Sequence, residues 1–436
     1  MGRPRLDANV WLVVIFAFYF LTAAAYSVLM PMWEGPDEPA HYVIVLNLVR
    51  ARFYSNLNYS YEAAQPRAYY YLASLPILIL DSFNSSSDNM FMPHADWQNV
   101  YRPAPIFEWS HQNYRFLTGP YALRWINILL GGLALWLNWI TFRRIVPEKP
   151  FLSLAALALA ALVPEYLHIM SSIGNDALGT LAGALLFYLA IRLVSQLSLF
   201  SAFLSIAAAV ILPLTTKLTA LPLGLAVLIA AFWRGTGQLQ NKKRLLLFGS
   251  IVSLGSLAIL YLLSPATLRS SVAQIGWRLF NVRPESLKGI YLTTMLSQVI
   301  WSFWGKVGWL AVALPVWMVN LLTILALAGM LLSAISQIRS SPRGSQPSVW
   351  RVTWIAVLLS IAAVLKNGLN TDLTQGRFLF PAIGPLALLM VAGWYEILPQ
   401  RFRSDLVIIV IILMLAATLA LWHFGIVPVY FQPFLD

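Results

Sequence analysis

The sequence predicts an all-α integral membrane protein of about eleven transmembrane helices, and three observations carry that prediction. Of its 436 residues, 59% are hydrophobic and only 11% are charged, whereas a soluble domain carries about 25% charge. Long apolar runs recur along the chain, many of them near the roughly 20 residues that cross a bilayer. Lys and Arg gather between alternate runs, as they do on the cytoplasmic side of membrane proteins. So few charges cannot cover a water-exposed surface, and lipid must be the solvent for much of it.

The elements follow in order. Residues 9–31 form an apolar run too long for a signal-peptide core of about 7–15 residues, and no small-residue cleavage site follows; the run is read as a retained first helix. Further spans are expected at 121–142, 177–197, 245–263, 309–335, 378–398 and 405–425. Shorter or broken ones are expected at 151–170 (interrupted by Pro164), 199–214, 218–233 and 351–366. With the N-terminus cytoplasmic, fifteen of the 29 Lys and Arg but only four of the 17 acids face the cytoplasm. The expected protein is therefore one polytopic domain over 1–436, multi-pass in the cell (inner or plasma) membrane. Seventeen Trp and eighteen Tyr suit two interfacial belts. With no cysteine, disulfides, thiolate metal sites and cysteine nucleophiles are excluded. The net charge of +12 comes from small scattered groups rather than one basic stripe, so no nucleic-acid partner is expected.

Two non-cytoplasmic segments are too long to be simple connections. Residues 32–120 hold eight of the 17 acids, and residues 264–308 hold Arg269, Arg278, Arg283, Lys288 and Lys306. An acidic and a basic loop on one face point to a carboxylate working near an anion. After Pro39 the first loop has helical apolar spacing. Its stretch Tyr69–Leu80 is too short to span and is expected to lie in the interface or to re-enter the membrane. The densest constellation is Trp33-Glu34-Gly35-Pro36-Asp37-Glu38-Pro39-Ala40-His41, where the first helix leaves the bilayer. An acid at a helix start is stabilised as the anion by free N–H groups and the helix dipole. That suits a general base or a metal ligand. A helix start needs one capping residue, and two adjacent acids plus a histidine exceed that need.

An acidic pair directly after the first transmembrane helix resembles the hallmark of the GT-C class of membrane glycosyltransferases, which use polyprenyl-phosphate-linked sugars. The stretch Pro36 to His41 (PDEPAH) looks like the signature of a bacterial family of multi-pass membrane proteins grouped with that class. Other segments match it in order: Glu62-Ala63-Ala64-Gln65-Pro66-Arg67-Ala68-Tyr69-Tyr70-Tyr71, Gly174-Asn175-Asp176-Ala177, Thr216-Lys217-Leu218-Thr219 and Gln375-Gly376-Arg377-Phe378-Leu379-Phe380-Pro381. Arg67 and Ala68 stand where that family has Pro-Leu. The resemblance covers most of the chain and implies a GT-C-like bundle with interfacial helices in its first outer loop. It implies sugar transfer from a polyprenyl-phosphate donor to a cell-envelope glycan, lipid or protein on the outer face. Asp37 is then the candidate base, and Glu38 its catalytic partner. Both are candidate ligands of a divalent metal, Mg or Mn.

The leaving group would be a phosphate, so cations must offset its charge. Arg377 is the first candidate, because a planar guanidinium can grip two phosphate oxygens; the plain alternative is a side chain snorkelling to lipid headgroups. Lys217 and Lys306 are further candidates. Asp176, at a predicted helix start, is either a cap or a substrate contact. His41, Glu62, Gln65 and Tyr69 complete the candidate substrate-binding set. His94, His111 and His168 share no metal-ligand spacing, and no phosphate-binding glycine loop is present. A lipid or polysaccharide transporter is the alternative function, and a scaffold without chemistry a third. Charges at the membrane lip favour catalysis, and charges at the midplane favour transport.

Overall fold

Helices make up the regular structure of the described residues except for one two-stranded hairpin, as backbone immersed in lipid requires. The computed structural model describes residues 7–49, 61–83, 114–196, 198–238, 242–283, 286, 288–339, 346–371 and 374–431. The loop acids Asp88, Asp96 and Glu108, with His94 and His111, lie outside these residues.

Among the described residues, seven helices or helical segments are long and apolar enough to cross a membrane: Ala8–Leu29, Thr118–Ile145, Asp176–Ser195, Val316–Arg339, Ser348–Gly368, Gly376–Ile397 and Asp405–Tyr430. An eighth candidate is α5 (Pro150–Leu162) with α6 (Pro164–Met170), bent by 61° between them. Pro164 supplies the physical reason, since it lacks an N–H and its ring clashes with the preceding turn. Shorter apolar helices at Phe200–Thr215, Leu218–Trp233 and Leu247–Leu263 match three further predicted segments. Helix α5 is buried on all sides from Leu152 to Leu162, and its alanine-rich surface lets α1 (Ala8–Leu29), α15 (Ile383–Ile397) and α16 (Asp405–Leu421) pack closely around it.

The first loop contributes α2 (Glu38–Val49) and α3 (Ala68–Phe83), which pack together against α4 (Tyr114–Ile145). Trp33, Tyr42, Val45, Tyr69, Tyr70 and Leu123 form an aromatic-rich core there, separate from that of the main bundle. The second loop folds as α11 (Pro265–Phe280) and α12 (Gly289–Trp304).

One predicted boundary moves. The apolar run 309–335 becomes helical only at Val316. Residues 305–314 instead make a hairpin, β1 (Lys306–Val307) against antiparallel β2 (Val312–Ala313). Gly308, Trp309 and Leu310 lie in the left-handed region (φ 58°, 52° and 67°), which no right-handed helix can pass through. The hydroxyl of Tyr430 fills the space a side chain at 308 would need.

Candidate active site

The site begins where α1 ends. The chain turns through Pro31–Asp37 and enters α2 at Glu38, with Trp33 at φ 77° and Asp37 at φ 63°. Asp accepts this left-handed geometry better than most residues. It aims Asp37 towards three elements that the sequence had placed on the same face. Arg377, in the 3-10 helix Gly376–Ala382, donates from Nη2 to Asp37 Oδ2 at 2.8 Å and from Nη1 to Asp176 Oδ2 at 3.3 Å. Asp176 opens α7 (Asp176–Ser195), and its Oδ1 lies 2.6 Å from Lys217 Nζ. The result is one alternating chain of charge, Asp37–Arg377–Asp176–Lys217. Asp37 is its open end, with 29% of its side chain exposed against 7%, 5% and 11% for the other three.

The electrostatics separate the acids. Burial alone would raise Asp37, but the positive charges of Arg377 and Lys217 outweigh it and hold the carboxyl below the usual range, so it is ionised at neutral pH. Burial pushes Glu62 up to about 8, and the negative charge of Asp37 adds to this. Burial lowers His41 to about 4 despite the pull of Asp37, so its ring is neutral. Burial also lowers Lys217, against the opposing charge of Asp176.

A polar string runs beside the charged one. Asn175 Nδ2 donates to Gln65 Oε1, and Gln65 Nε2 donates to Glu62 Oε2. The Tyr70 hydroxyl donates to the Glu62 carbonyl at 3.2 Å, which leaves its oxygen to accept from His41 Nδ1 at 2.9 Å. The tautomer of His41 is thereby assigned from its network, with Nε2 as acceptor.

Three expected site residues sit elsewhere. Glu38 is fully buried and turned away from Asp37. Its oxygens accept from Arg124 Nε and Nη2 (both 2.8 Å), Trp33 N (3.0 Å), Gly35 N (3.1 Å) and Ile173 N (2.8 Å), so no lone pair is left for substrate. Tyr69 is buried among aromatic rings, 6.2 Å from that of His41 and 5.6 Å from that of Tyr70. Lys306 lies in the hairpin, where its backbone N–H donates to Glu165 Oε2 at 2.8 Å, and its side chain is not part of the charge chain. Among the described residues no three His, Asp or Glu side chains gather as a metal-ligand set. With Glu38 committed and Asp37 held by a guanidinium, the pair does not fit a shared divalent ion.

Arg124 was not singled out by its sequence context, although an arginine within an apolar helix is costly and marks a special position. Its guanidinium also donates to the carbonyls of Ser27 (2.7 Å), Met30 (2.9 Å) and Pro31 (3.0 Å). Tyr70 and Asn175, which order Glu62 and Gln65, had no signal beyond their place in the quoted motifs.

Residues 116–268 match the family described as dolichyl-phosphate-mannose-protein mannosyltransferase. That stretch contains Asp176 and Lys217 but neither Asp37 nor Arg377, and it agrees with the class to which the sequence motifs point. No curated protein matches the chain. Among the solved structures similar to it are two membrane proteins. One is ArnT from Cupriavidus metallidurans bound to undecaprenyl phosphate, 13% identical with a TM-score of 0.49, over 92% of this chain and 62% of that one. The other is the Archaeoglobus fulgidus oligosaccharyltransferase in complex with zinc and sulfate, 11% identical with a TM-score of 0.44, over 93% of this chain and 53% of that one. The chain thus spans less than two thirds of either protein.

Proposed function

We propose that this protein transfers a sugar from a polyprenyl-phosphate-linked donor to a cell-envelope acceptor (glycan, lipid or protein) on the non-cytoplasmic face of the cell membrane. The observation that carries the proposal is the charge chain Asp37–Arg377–Asp176–Lys217 beside an apolar groove. The groove, a cavity of about 300 Å³, is lined by Leu218, Leu221, Leu225, Ile275, Leu279 and Phe378 among others. Phe378 belongs to both features, since its ring centroid lies 5.6 Å from Arg377 Cζ and 6.0 Å from Lys217 Nζ. A prenyl chain in the groove would bring its phosphate to these two cations.

The chemistry follows from that placement. Asp37 takes the proton of the acceptor hydroxyl as its oxygen attacks the anomeric carbon. The bond from that carbon to the phosphate oxygen breaks, and its electron pair leaves with the phosphate beside Arg377 and Lys217, which offset the charge. Without donor, Arg377 holds Asp37 and weakens it as a base. A donor phosphate competes for the guanidinium fork; as Arg377 turns to it, Asp37 regains basicity. Glu62 keeps its proton at neutral pH, so it adds no negative charge where the donor phosphate must bind.

A transporter would carry such charges near the bilayer midplane. Here they occupy a turn before α2, the first residue of α7, the residue before the turn at Leu218–Ala220, and the start of a span. The deciding measurement is transfer from a panel of polyprenyl-phosphate sugars by purified protein, wild type beside Asp37→Asn. A loss of about 100-fold or more in the variant is expected for a removed base. Wild type that binds such lipids but turns none over, with the variant binding equally, would reject catalysis. For topology, a maleimide that cannot cross membranes should label the Gln65→Cys variant in intact cells, and labelling only after lysis would reverse the assigned face.

A further inference from the structure

The turn that presents Asp37 has a feature the proposed chemistry does not use. Asp37 stands in a left-handed conformation, which costs free energy even for an aspartate and is held by its surroundings. What imposes it is the ion pair of Glu38 with Arg124, whose side chains are 0% and 1% exposed. From α4, Arg124 grips the final carbonyls of α1 and Pro31 beyond them, where the helix leaves unpaired acceptors and the negative end of its dipole. Through Glu38 it also holds the N–H groups of Trp33 and Gly35 within the turn. The same carboxylate accepts from Ile173 N, three residues before Asp176. A Cβ at Gly35 would lie 2.7 Å from Glu38 Cγ and Cδ and from Ser172 Cβ, so the turn and the loop before α7 are pressed together with no slack.

One buried pair therefore fixes both segments whose acids meet on Arg377. We propose that Arg124, acting through Glu38, is a positioning residue that sets Asp37 in register with Arg377 and Asp176. The inference rests on the catalytic reading of Asp37 for its kinetic consequence and on geometry alone for its structural one. Arg124→Lys keeps the charge but loses the planar fork that reaches Glu38 and three carbonyls together.

The test has two arms. In the first, Arg124→Lys should lower the turnover number for transfer by about 10- to 100-fold, the scale of a misplaced catalytic group. The donor KM should stay within about threefold, because Arg377 and Lys217 are untouched. In the Asp37→Asn background the same change should cost less than about twofold more, since residues acting as a unit are not additive. Losses that multiply would overturn the inference, because Arg124 would then act independently of Asp37. The second arm needs no activity. The protein has no cysteine, so the Asp37→Cys variant carries a single thiol. Its maleimide labelling rate should change by at least about threefold when Arg124→Lys is added, reporting the altered thiolate fraction and access. An unchanged rate would overturn the inference even if wild type transfers no sugar, an outcome that on its own rejects only the catalytic reading. Should Arg124→Lys fail to elute as folded protein, Glu38→Gln, which keeps the shape of the side chain through which Arg124 acts and removes its charge, takes its place in both arms with the same expectations.

Discussion

Asp37 and Glu38 are neighbours in the chain, and each pairs with an arginine at 2.8 Å, yet the two pairs have opposite characters. The Glu38–Arg124 pair is sealed, and every polar direction it offers is occupied by backbone or by its partner. The Asp37–Arg377 pair is open on the Asp37 side, which is 29% exposed, and Arg377 Nε is buried with no hydrogen-bond partner among the described residues. A sealed pair can only hold structure. An open pair can be exchanged for a substrate, which is what a phosphate arriving at Arg377 would do. Two adjacent acids thus differ in what they leave free: Glu38 is spent on the turn, and Asp37 stays partly exposed.

The contrast can be broken from its strongest side first. Arg124→Met leaves Glu38 buried without its counter-ion and should cost about 3–5 kcal/mol of stability, read as early loss of the monodisperse peak on thermal challenge in detergent. Full stability in this variant would mean that the sealed pair does not hold the turn. Asp37→Asn should do the reverse, losing about 100-fold or more in transfer with little change in thermal stability. Arg377→Lys should fall between them. Lysine lacks the planar fork that grips two phosphate oxygens at once, so a rise of about tenfold in donor KM is expected from the weakened phosphate grip, at about one lost charge-assisted bond; an unchanged KM would remove Arg377 from donor binding.

Glu62 supplies a prediction in pH. Its carboxyl titrates near 8 in the fold, against an ordinary value of 4.5. The folded state therefore binds a proton that the unfolded chain has released. The stability this gives is full below about pH 4.5 and is lost as pH rises through about 8. Glu62→Gln should flatten stability over that window, by no more than one proton's slope of about 1.4 kcal/mol per pH unit. An identical slope in variant and wild type would place the proton elsewhere. The smallest effect is expected at the opposite end of the bundle. Lys149 meets Glu396 at 2.6 Å, but the two side chains are 40% and 33% exposed, so Lys149→Met should change stability by under about 1 kcal/mol and leave transfer untouched.

Part of the site was legible before any coordinates. The alternation of spans placed Asp37, Asp176, Lys217 and Arg377 at helix ends on one face, and those ends do meet. The broken span at Pro164 and the short helix after Tyr69 could also be read from composition and spacing. The part that was misplaced shares one cause. Glu38 looks as reactive as Asp37 in the sequence, and Trp309 and Leu310 look like any start of an apolar helix. Nothing local distinguishes them, because their fates depend on Arg124, 86 positions from Glu38, and on Tyr430 against the hairpin.

The sequence by itself determined that the chain is a multi-pass membrane protein, where its apolar helices lie, and that Asp37, Asp176, Lys217 and Arg377 sit at helix ends that come together, because hydropathy and charge bias act along the chain. Only the tertiary structure decided which carboxylate is sealed and which is open. That choice rests on contacts such as Asp37 with Arg377, 340 positions apart, and on how completely each pair is removed from solvent. Burial and long-range pairing are properties of packed helices, and no stretch of sequence carries them alone.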